Sequence, residues 1–254
     1  MTALQSRRAN TSGARLMMGH THALSGAAAW LAATPFIGDP AALGQYAIEL
    51  SPAQIAAGTV ICAGAAMLPD IDHHNGTIAG TFGPLSRVLC RLVGAVSGGH
   101  RHATHSVAFA ALAGFGAGWA AGHAPGWAWT AVLFALIGLG LRGIGIRVAE
   151  REHFSALLNA AIAAALVYVM RDLDMSFAGY AVALGCLLHV LGDCLTPDGC
   201  PLLWPAQWRV RVPLIPRTDG VLERWVLAPL LTLGVVILAV RSTLGVEATY
   251  WLRS

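Results

Sequence analysis

The sequence predicts an all-α fold, an integral membrane bundle of about seven helical segments. Hydrophobic residues make up 56% of the 254 positions and charged residues only 11%, whereas a soluble domain carries about 25% charged residues. The apolar residues are gathered into seven separate stretches, and the chain contains no lysine. None of its sixteen arginines falls within a stretch, as expected of the tails and connections of a multi-pass membrane protein.

Each apolar stretch is short for a helix that crosses a bilayer, which needs about 20 residues. We therefore expect flanking residues to extend several stretches, and one or two stretches to be re-entrant or packed inside the bundle. One membrane domain, residues 18–240, would carry all of them, between an N-terminal cytoplasmic tail (1–17) and a C-terminal tail (241–254). The stretches are Ala23–Ile37, Ala53–Leu68, Val107–Ala121, Trp127–Leu141, Leu157–Met170, Phe177–Leu191 and Trp225–Val240.

The arginines predict the orientation of the bundle. The segment before the first stretch holds three arginines and no acidic residue. If it is cytoplasmic, alternation through seven spans leaves only Arg171, Arg241 and Arg253 outside, as the positive-inside rule requires. This predicts a multi-pass membrane protein with a cytoplasmic N-terminus. Alternatively, Ala23–Ile37 is the apolar part of a cleaved signal peptide, and cleavage would remove the histidines that precede it.

This orientation brings histidines and carboxylates from four distant segments to one face of the membrane. Each group stands at the predicted inner end of a different apolar stretch. The residues are His20 and His22 before the first stretch, Asp70, Asp72, His73 and His74 after the second, His100, His102 and His105 before the third, and His189 and Asp193 at the end of the sixth.

The types and spacing of these side chains predict a metal site. His189 and Asp193 are four residues apart and share one helix face, and burying both near a membrane without a partner is costly. Imidazole together with carboxylate suits zinc, manganese or iron, and the five cysteines form no CxxC pair. We expect a divalent metal, zinc first. Because more than four candidate ligands are present, two or more ions have room.

Further polar and amphipathic features surround the predicted site. Arg101 is either an ordinary cytoplasmic arginine or a bidentate holder of phosphate or carboxylate. Glu223, just before the last stretch, is a ligand, a general base or a helix-start carboxylate. Residues 84–97 have apolar residues at helical spacing and two arginines on another face. They predict a helix that lies in the inner interface or packs against the bundle.

Taken together, these motifs resemble the bacterial membrane-bound metal-dependent hydrolase family, often called YdjM-like. The matching pieces are THALSG (21–26), LPDIDHH (68–74), HRHATHS (100–106), HVLGDCLTPDG (189–199) and DGVLE (219–223). His74 and His102 depart from the residues usual at those places. The family is distantly similar to zinc-dependent phospholipases C, which implies phosphoester substrates. The resemblance implies a metal or catalytic role for His22, Asp70, Asp72, His73, His100, His105, His189 and Asp193.

The residues and this resemblance together favour a metal-dependent hydrolase at the cytoplasmic face of the bacterial inner membrane, acting on a small-molecule or lipid phosphoester through metal-activated water. Asp70, Asp72 or Glu223 would serve as the base, and Arg101 would hold developing negative charge. No HExxH or GxSxG motif supports a protease or a serine hydrolase, and a net charge of +3 does not indicate nucleic acid binding. A metal transporter or sensor and a metal-stabilised structural membrane protein remain as alternatives.

Overall fold

The structure is a computed structural model, which describes the backbone of residues 3–74, 76–146, 152–215 and 220–253. Side chains are described for residues 19–74, 76–146, 153–215 and 220–243. Within these ranges the chain is helical, and the predicted all-α class is confirmed. Its α-helices are α1 (Ala3–Ile37), α2 (Pro40–Leu43), α3 (Pro52–Ala65), α4 (Pro84–Val96), α5 (Val107–His123), α6 (Gly126–Gly143), α7 (Glu152–Val169), α8 (Ala178–Cys194) and α9 (Ala228–Arg253).

All seven predicted apolar stretches coincide with helices, namely α1, α3 and α5 to α9. Of the described helical segments, three are long and apolar enough to cross a membrane, and three more are apolar but shorter. The expectation of short spans is therefore met. The long segments are Pro52–Asp72, Gly126–Gly143 and Glu223–Thr243, and the shorter ones are Val107–His123, His153–Val169 and Ala178–Cys194.

The predicted tails and the arginines that predict the orientation lie at the chain ends and in the loops. The predicted tails are continuous with terminal helices, because α1 begins at Ala3 and α9 ends at Arg253. Seven of the sixteen arginines from which the orientation is predicted have side chains outside the described residues. They are Arg7, Arg8, Arg15, Arg147, Arg151, Arg217 and Arg253.

Local helix signals place polar residues on the turns beside the helix ends. α3 begins with a capping box in which Ser51 accepts a hydrogen bond from the Gln54 amide. Pro69, which has no amide N–H, follows the end of α3 and lies in a 3-10 turn that spans Leu68–Asp72. Ser106 begins α5 by accepting from the Phe109 amide. A second 3-10 turn, Ala103–His105, comes immediately before that cap.

Close helix packing sets the spacing between the segments that carry the polar groups. A Cβ atom added at Gly26 would lie 2.6 Å from the Cys62 carbonyl oxygen, and one added at Gly185 would lie 2.5 Å from the same oxygen. α1 and α8 therefore both press directly against the backbone of α3, as small residues permit in membrane bundles. Gly26 is one turn from His22 and Gly185 one turn from His189, so this packing fixes where both imidazoles lie.

The predicted amphipathic helix is α4, and it turns its apolar face away from the bundle. Leu85 and Leu92 are 75% and 61% exposed, while Cys90 on the inner side is fully buried. The inner side also carries Gly94, where an added Cβ would lie 2.6 Å from the Asp72 carbonyl oxygen. Small residues thus seat α4 on the Asp72 turn, and its leucines face outward as in a helix at a membrane interface.

Candidate metal centre

Histidine and carboxylate side chains meet where the C-terminal ends of α3 and α8 and the N-terminal end of α5 come together beside α1. They form two groups, and within each group one donor atom per residue lies within 4.8 Å of all the others. The two groups adjoin, because His105 of the first lies 3.5 Å from Asp193 of the second. The first group is Asp70, Asp72, His100 and His105, and the second is His22, His189 and Asp193.

Four donor atoms at the junction of the two groups are spaced as metal ligands are. His105 Nε2 lies 3.5 Å from both Asp70 Oδ1 and Asp193 Oδ2. His189 Nε2 lies 3.6 Å from Asp70 Oδ1 and 3.7 Å from Asp193 Oδ2. Tetrahedral ligands with bonds of about 2.0–2.2 Å lie ~3.3–3.6 Å apart. These four atoms could therefore hold one metal ion between them.

Hydrogen bonds orient both imidazoles toward that junction. His189 Nδ1 donates to the Ala66 carbonyl oxygen at 2.7 Å, so its Nε2 carries the lone pair. His105 Nδ1 lies 3.0 Å from Thr104 Oγ1 and faces away from the junction. Both Nε2 atoms are buried and have no hydrogen-bond partner among the described residues. Buried polar atoms without partners are rare and costly, and a metal ion would satisfy both.

Asp72 supports His105 from the side opposite the junction. Its Oδ2 accepts from Thr104 Oγ1 at 2.6 Å and from the Arg101 amide at 3.1 Å, and it lies 3.4 Å from His105 Nδ1. Its Oδ1 accepts from His100 Nδ1 at 2.9 Å. Both carboxylate oxygens of Asp72 thus accept hydrogen bonds from other residues of the protein. A carboxylate behind a histidine is the arrangement that orients metal-binding imidazoles.

The electrostatics of the junction favour a cation. Burial lowers the pKa of His105, but the neighbouring carboxylates of Asp70 and Asp72 outweigh burial and raise that pKa to about 9. Asp72 and Asp193 are only 3% and 2% exposed. Without an ion, three aspartates stand against two positive charges in this part of the site, the buried Arg101 and the protonated His105. Since burying uncompensated carboxylates is expensive, a divalent cation would balance the excess negative charge.

Arg101 links the two groups of ligand candidates. Its guanidinium donates to Asp193 Oδ1 at 3.0 Å and to Thr196 Oγ1 at 3.1 Å, while its amide bonds Asp72. The residue has a φ of 59°, a left-handed conformation that is unfavourable for a side chain of this size. The surrounding contacts hold this conformation, and the guanidinium is directed onto Asp193.

His22 and Glu223 lie on the α9 side of the centre. The His22 ring stacks on His189 with centroids 3.9 Å apart, and its Nε2 lies 3.5 Å from Asp193 Oδ1. Thr21, the residue before His22, donates a hydrogen bond of 2.5 Å to Glu223 Oε1. Glu223 is 5% exposed and opens a π-helical turn, Glu223–Leu227, that leads into α9. Such turns occur frequently at functional sites.

The remaining histidines stand outside the two groups. The His73 ring centroid is 4.5 Å from that of His100, with His74 beyond it. Burial and the neighbouring His100 lower the pKa of His73. His20 Nδ1 lies 3.3 Å from the Gly143 carbonyl oxygen. The structure therefore brings seven of the eight predicted metal residues into the two groups and places His73 beside them.

Three threonines contribute contacts that the sequence did not indicate. Thr21 holds Glu223, Thr104 holds Asp72, and Thr196 holds Arg101. Thr104 directly precedes His105, and the cap of α5 is Ser106. Thr196 lies in a turn closed by the Gly199 amide. The available signal was that each threonine lies in or beside a histidine or aspartate motif.

Comparison with known proteins supports the assignment of this chain to a family. The family described as YdjM inner membrane protein matches residues 17–143 and 153–252. Inner membrane protein YdjM of Escherichia coli (strain K12) and of Shigella flexneri are each 52% identical over 46 residues, which cover 18% of this chain. That match spans 24% of the length of these relatives, and no solved structure matches the chain. Because the family match covers most of its length, the chain belongs to the YdjM inner membrane protein family.

Proposed function

We propose that this inner membrane protein is a metal-dependent hydrolase that acts on a phosphoester at the cytoplasmic face. One observation carries the proposal. Two buried imidazole nitrogens without hydrogen-bond partners in the described residues, His105 Nε2 and His189 Nε2, lie 3.5–3.7 Å from carboxylate oxygens of Asp70 and Asp193. The distances between these donor atoms, the negative charge of the carboxylates and the tautomers of the histidines all suit a divalent metal ion.

His105, His189, Asp70 and Asp193 would hold the ion. Zinc is the first choice, because two imidazoles and two carboxylates suit its four-coordinate chemistry, and manganese and iron accept the same donors. His22 lies beside His189 and Asp193 on one side of these four residues, and His100 lies beside Asp72 on the other. Each would provide a donor for a second ion on its own side.

The ion would supply Lewis acidity, which makes water nucleophilic near neutral pH and stabilises negative charge on a phosphoryl oxygen. The protein's own residues do the rest. Asp72 orients His105 through its Nδ1. Arg101 positions Asp193 and adds positive charge next to it. Glu223, which Thr21 orients, lies outside both donor groups and would receive the proton of the attacking water.

The placement of the donors supports an enzyme more than a transporter. Asp70 and Asp72 follow α3, His100 and His105 precede α5, and Asp193 is in the last turn of α8. The donors therefore gather at one end of these helices. Transport requires ionisable groups along a path that reaches both faces, and this arrangement does not supply such a path through α3, α5 or α8.

Metal content and hydrolysis, measured on the purified chain, test the proposal. We expect stoichiometric divalent metal and metal-dependent cleavage of a phosphodiester such as bis(p-nitrophenyl) phosphate. His189→Ala should lose both metal and cleavage. His123→Ala is the matched control, because His123 lies at the far end of α5 and contacts Trp119, and it should keep both.

Two other outcomes would contradict parts of the proposal. Bound metal without cleavage of any phosphoester, together with a lower melting temperature for His189→Ala, would make the ion structural, because its binding energy would then be folding energy. Full metal content in His189→Ala would refute the metal centre itself. Two ions per chain would place the second ion next to the first, beside His22 or His100.

A further inference from the structure

An apolar cavity opens beside the proposed metal centre. It has a volume of about 440 Å³, within the ~300–1,000 Å³ of ligand pockets. At one end it is lined by His22, Asp193 and Glu223, and elsewhere mostly by aliphatic side chains, including Leu188 of α8 and Leu231 of α9. One ligand could thus place a polar reacting group against the polar residues of this cavity and a long apolar tail against its aliphatic side chains.

Exposed apolar side chains border the cavity. Its wall residues Leu191, Val210 and Val212 are 43%, 41% and 47% exposed. α9, which forms part of the wall, exposes apolar side chains such as Leu233 and Ile237, at 55% and 49%. A helix of this kind faces acyl chains in a membrane. A tail could therefore pass from the bilayer into the cavity without crossing water.

The segment that carries Val210 and Val212, residues 200–215, has the composition of a membrane interface. Trp208 and Leu203 are 82% and 67% exposed, and tryptophan is enriched where bilayers meet water. Exposed Arg209 and Arg211 accompany them, and the segment contains no acidic residue. Basic residues at this level attract anionic lipid headgroups.

We propose that the substrate is a membrane phospholipid, with one acyl chain in this cavity and the phosphoester at its His22, Asp193 and Glu223 end. This rests on the proposed hydrolase function and narrows its substrate class. The apolar lining selects the chain, and the arginine-bearing interfacial segment favours an anionic headgroup. A water-soluble phosphoester would bind at the metal centre, but without an acyl chain it would make no stabilising contacts with the apolar lining of the cavity.

Photo-cross-linking tests the binding mode independently of catalysis. The probe is a phosphatidylglycerol with a diazirine near the end of one acyl chain, added to the full-length chain in detergent. Adducts should map to residues 188–195 and 227–231. Leu231→Trp fills the cavity and should lower the yield about tenfold. Leu191→Trp should act likewise and is tolerant of bulk, since Leu191 is 43% exposed. Leu233→Trp, on the exposed face of α9, is the control and should change nothing.

Hydrolysis assays form the second arm. The two cavity-filling variants should cleave phosphatidylglycerol about tenfold more slowly, while cleavage of bis(p-nitrophenyl) phosphate stays unchanged. Adducts elsewhere in the chain, or equal losses on both substrates, would overturn the inference. If the wild-type chain cleaves neither substrate, the proposed hydrolase fails, and the cross-linking pattern alone then decides whether the cavity binds an acyl chain.

Discussion

Asp72→Asn separates a residue that supports a metal ligand from one that binds the metal. Asn has nearly the same shape, and its single oxygen can still accept from Thr104 and the Arg101 amide, where Asp72 Oδ2 now does. Its amide group would then face His100 Nδ1, which can accept in its other tautomer. The main loss is the negative charge 3.4 Å behind His105 Nδ1.

The size of the effect follows from that position. Losing a carboxylate behind a metal-binding histidine lowers metal affinity about 10–100-fold, which corresponds to ~1.4–2.7 kcal/mol. His105→Ala, by contrast, removes one of the four proposed donors outright and should leave no stoichiometric metal. We therefore expect a graded order of affinity: wild type, then Asp72→Asn, then His105→Ala.

Competition with a chromogenic chelator measures these affinities on the purified, metal-depleted chain. Circular dichroism and the melting temperature of each variant control for folding. The reasoning would be refuted if Asp72→Asn lost metal as completely as His105→Ala, because Asp72 would then be a ligand. An unchanged affinity would equally refute it, because the negative charge of Asp72 behind His105 would then have no effect on the centre.

Three further predictions address catalysis, topology and packing. Arg101→Lys keeps the charge but loses the planar fork that reaches Asp193, so metal analysis should find the ion retained while the rate of phosphoester cleavage falls. Reporter fusions should place Arg91 and Arg209 in the cytoplasm and residue 124 outside, and an external Arg91 would reverse the orientation. Gly185→Leu should lower the melting temperature, because its Cβ would lie 2.5 Å from a carbonyl oxygen of α3; an unchanged value would contradict the close packing.

The helices and the residues that gather at the site could be predicted from the sequence alone. Apolar stretches in a chain with 11% charged residues predict spans because lipid requires helices with internally satisfied backbones. The i, i+4 spacing of His189 and Asp193 predicts one helix face, and their donor atoms lie 3.7 Å apart. The alternation of spans brought Asp70, His105 and His22 to the same end of the bundle.

The different roles of the residues in the site depend on tertiary contacts that no local sequence pattern predicts. Asp70 and Asp72 look alike in the sequence, but the 3-10 turn directs Asp70 to His189 and Asp72 to Thr104. Arg101 meets Asp193 across 92 positions of the chain, a distance at which residue spacing carries no information. The orientation of α4 likewise depends on how it seats on the Asp72 turn.

X-ray absorption at the zinc edge of the purified, zinc-loaded chain tests the central claim most directly. Two imidazole nitrogens and two carboxylate oxygens predict a first shell of nitrogen and oxygen only, at about 2.0–2.2 Å. A sulfur ligand is the sharpest alternative, because the Cys200 thiol lies 3.8 Å from Asp193 Oδ2 at the edge of the same site. The proposed centre predicts imidazole scattering and no sulfur shell. A zinc–sulfur distance of about 2.3 Å, or the absence of bound zinc, would contradict it.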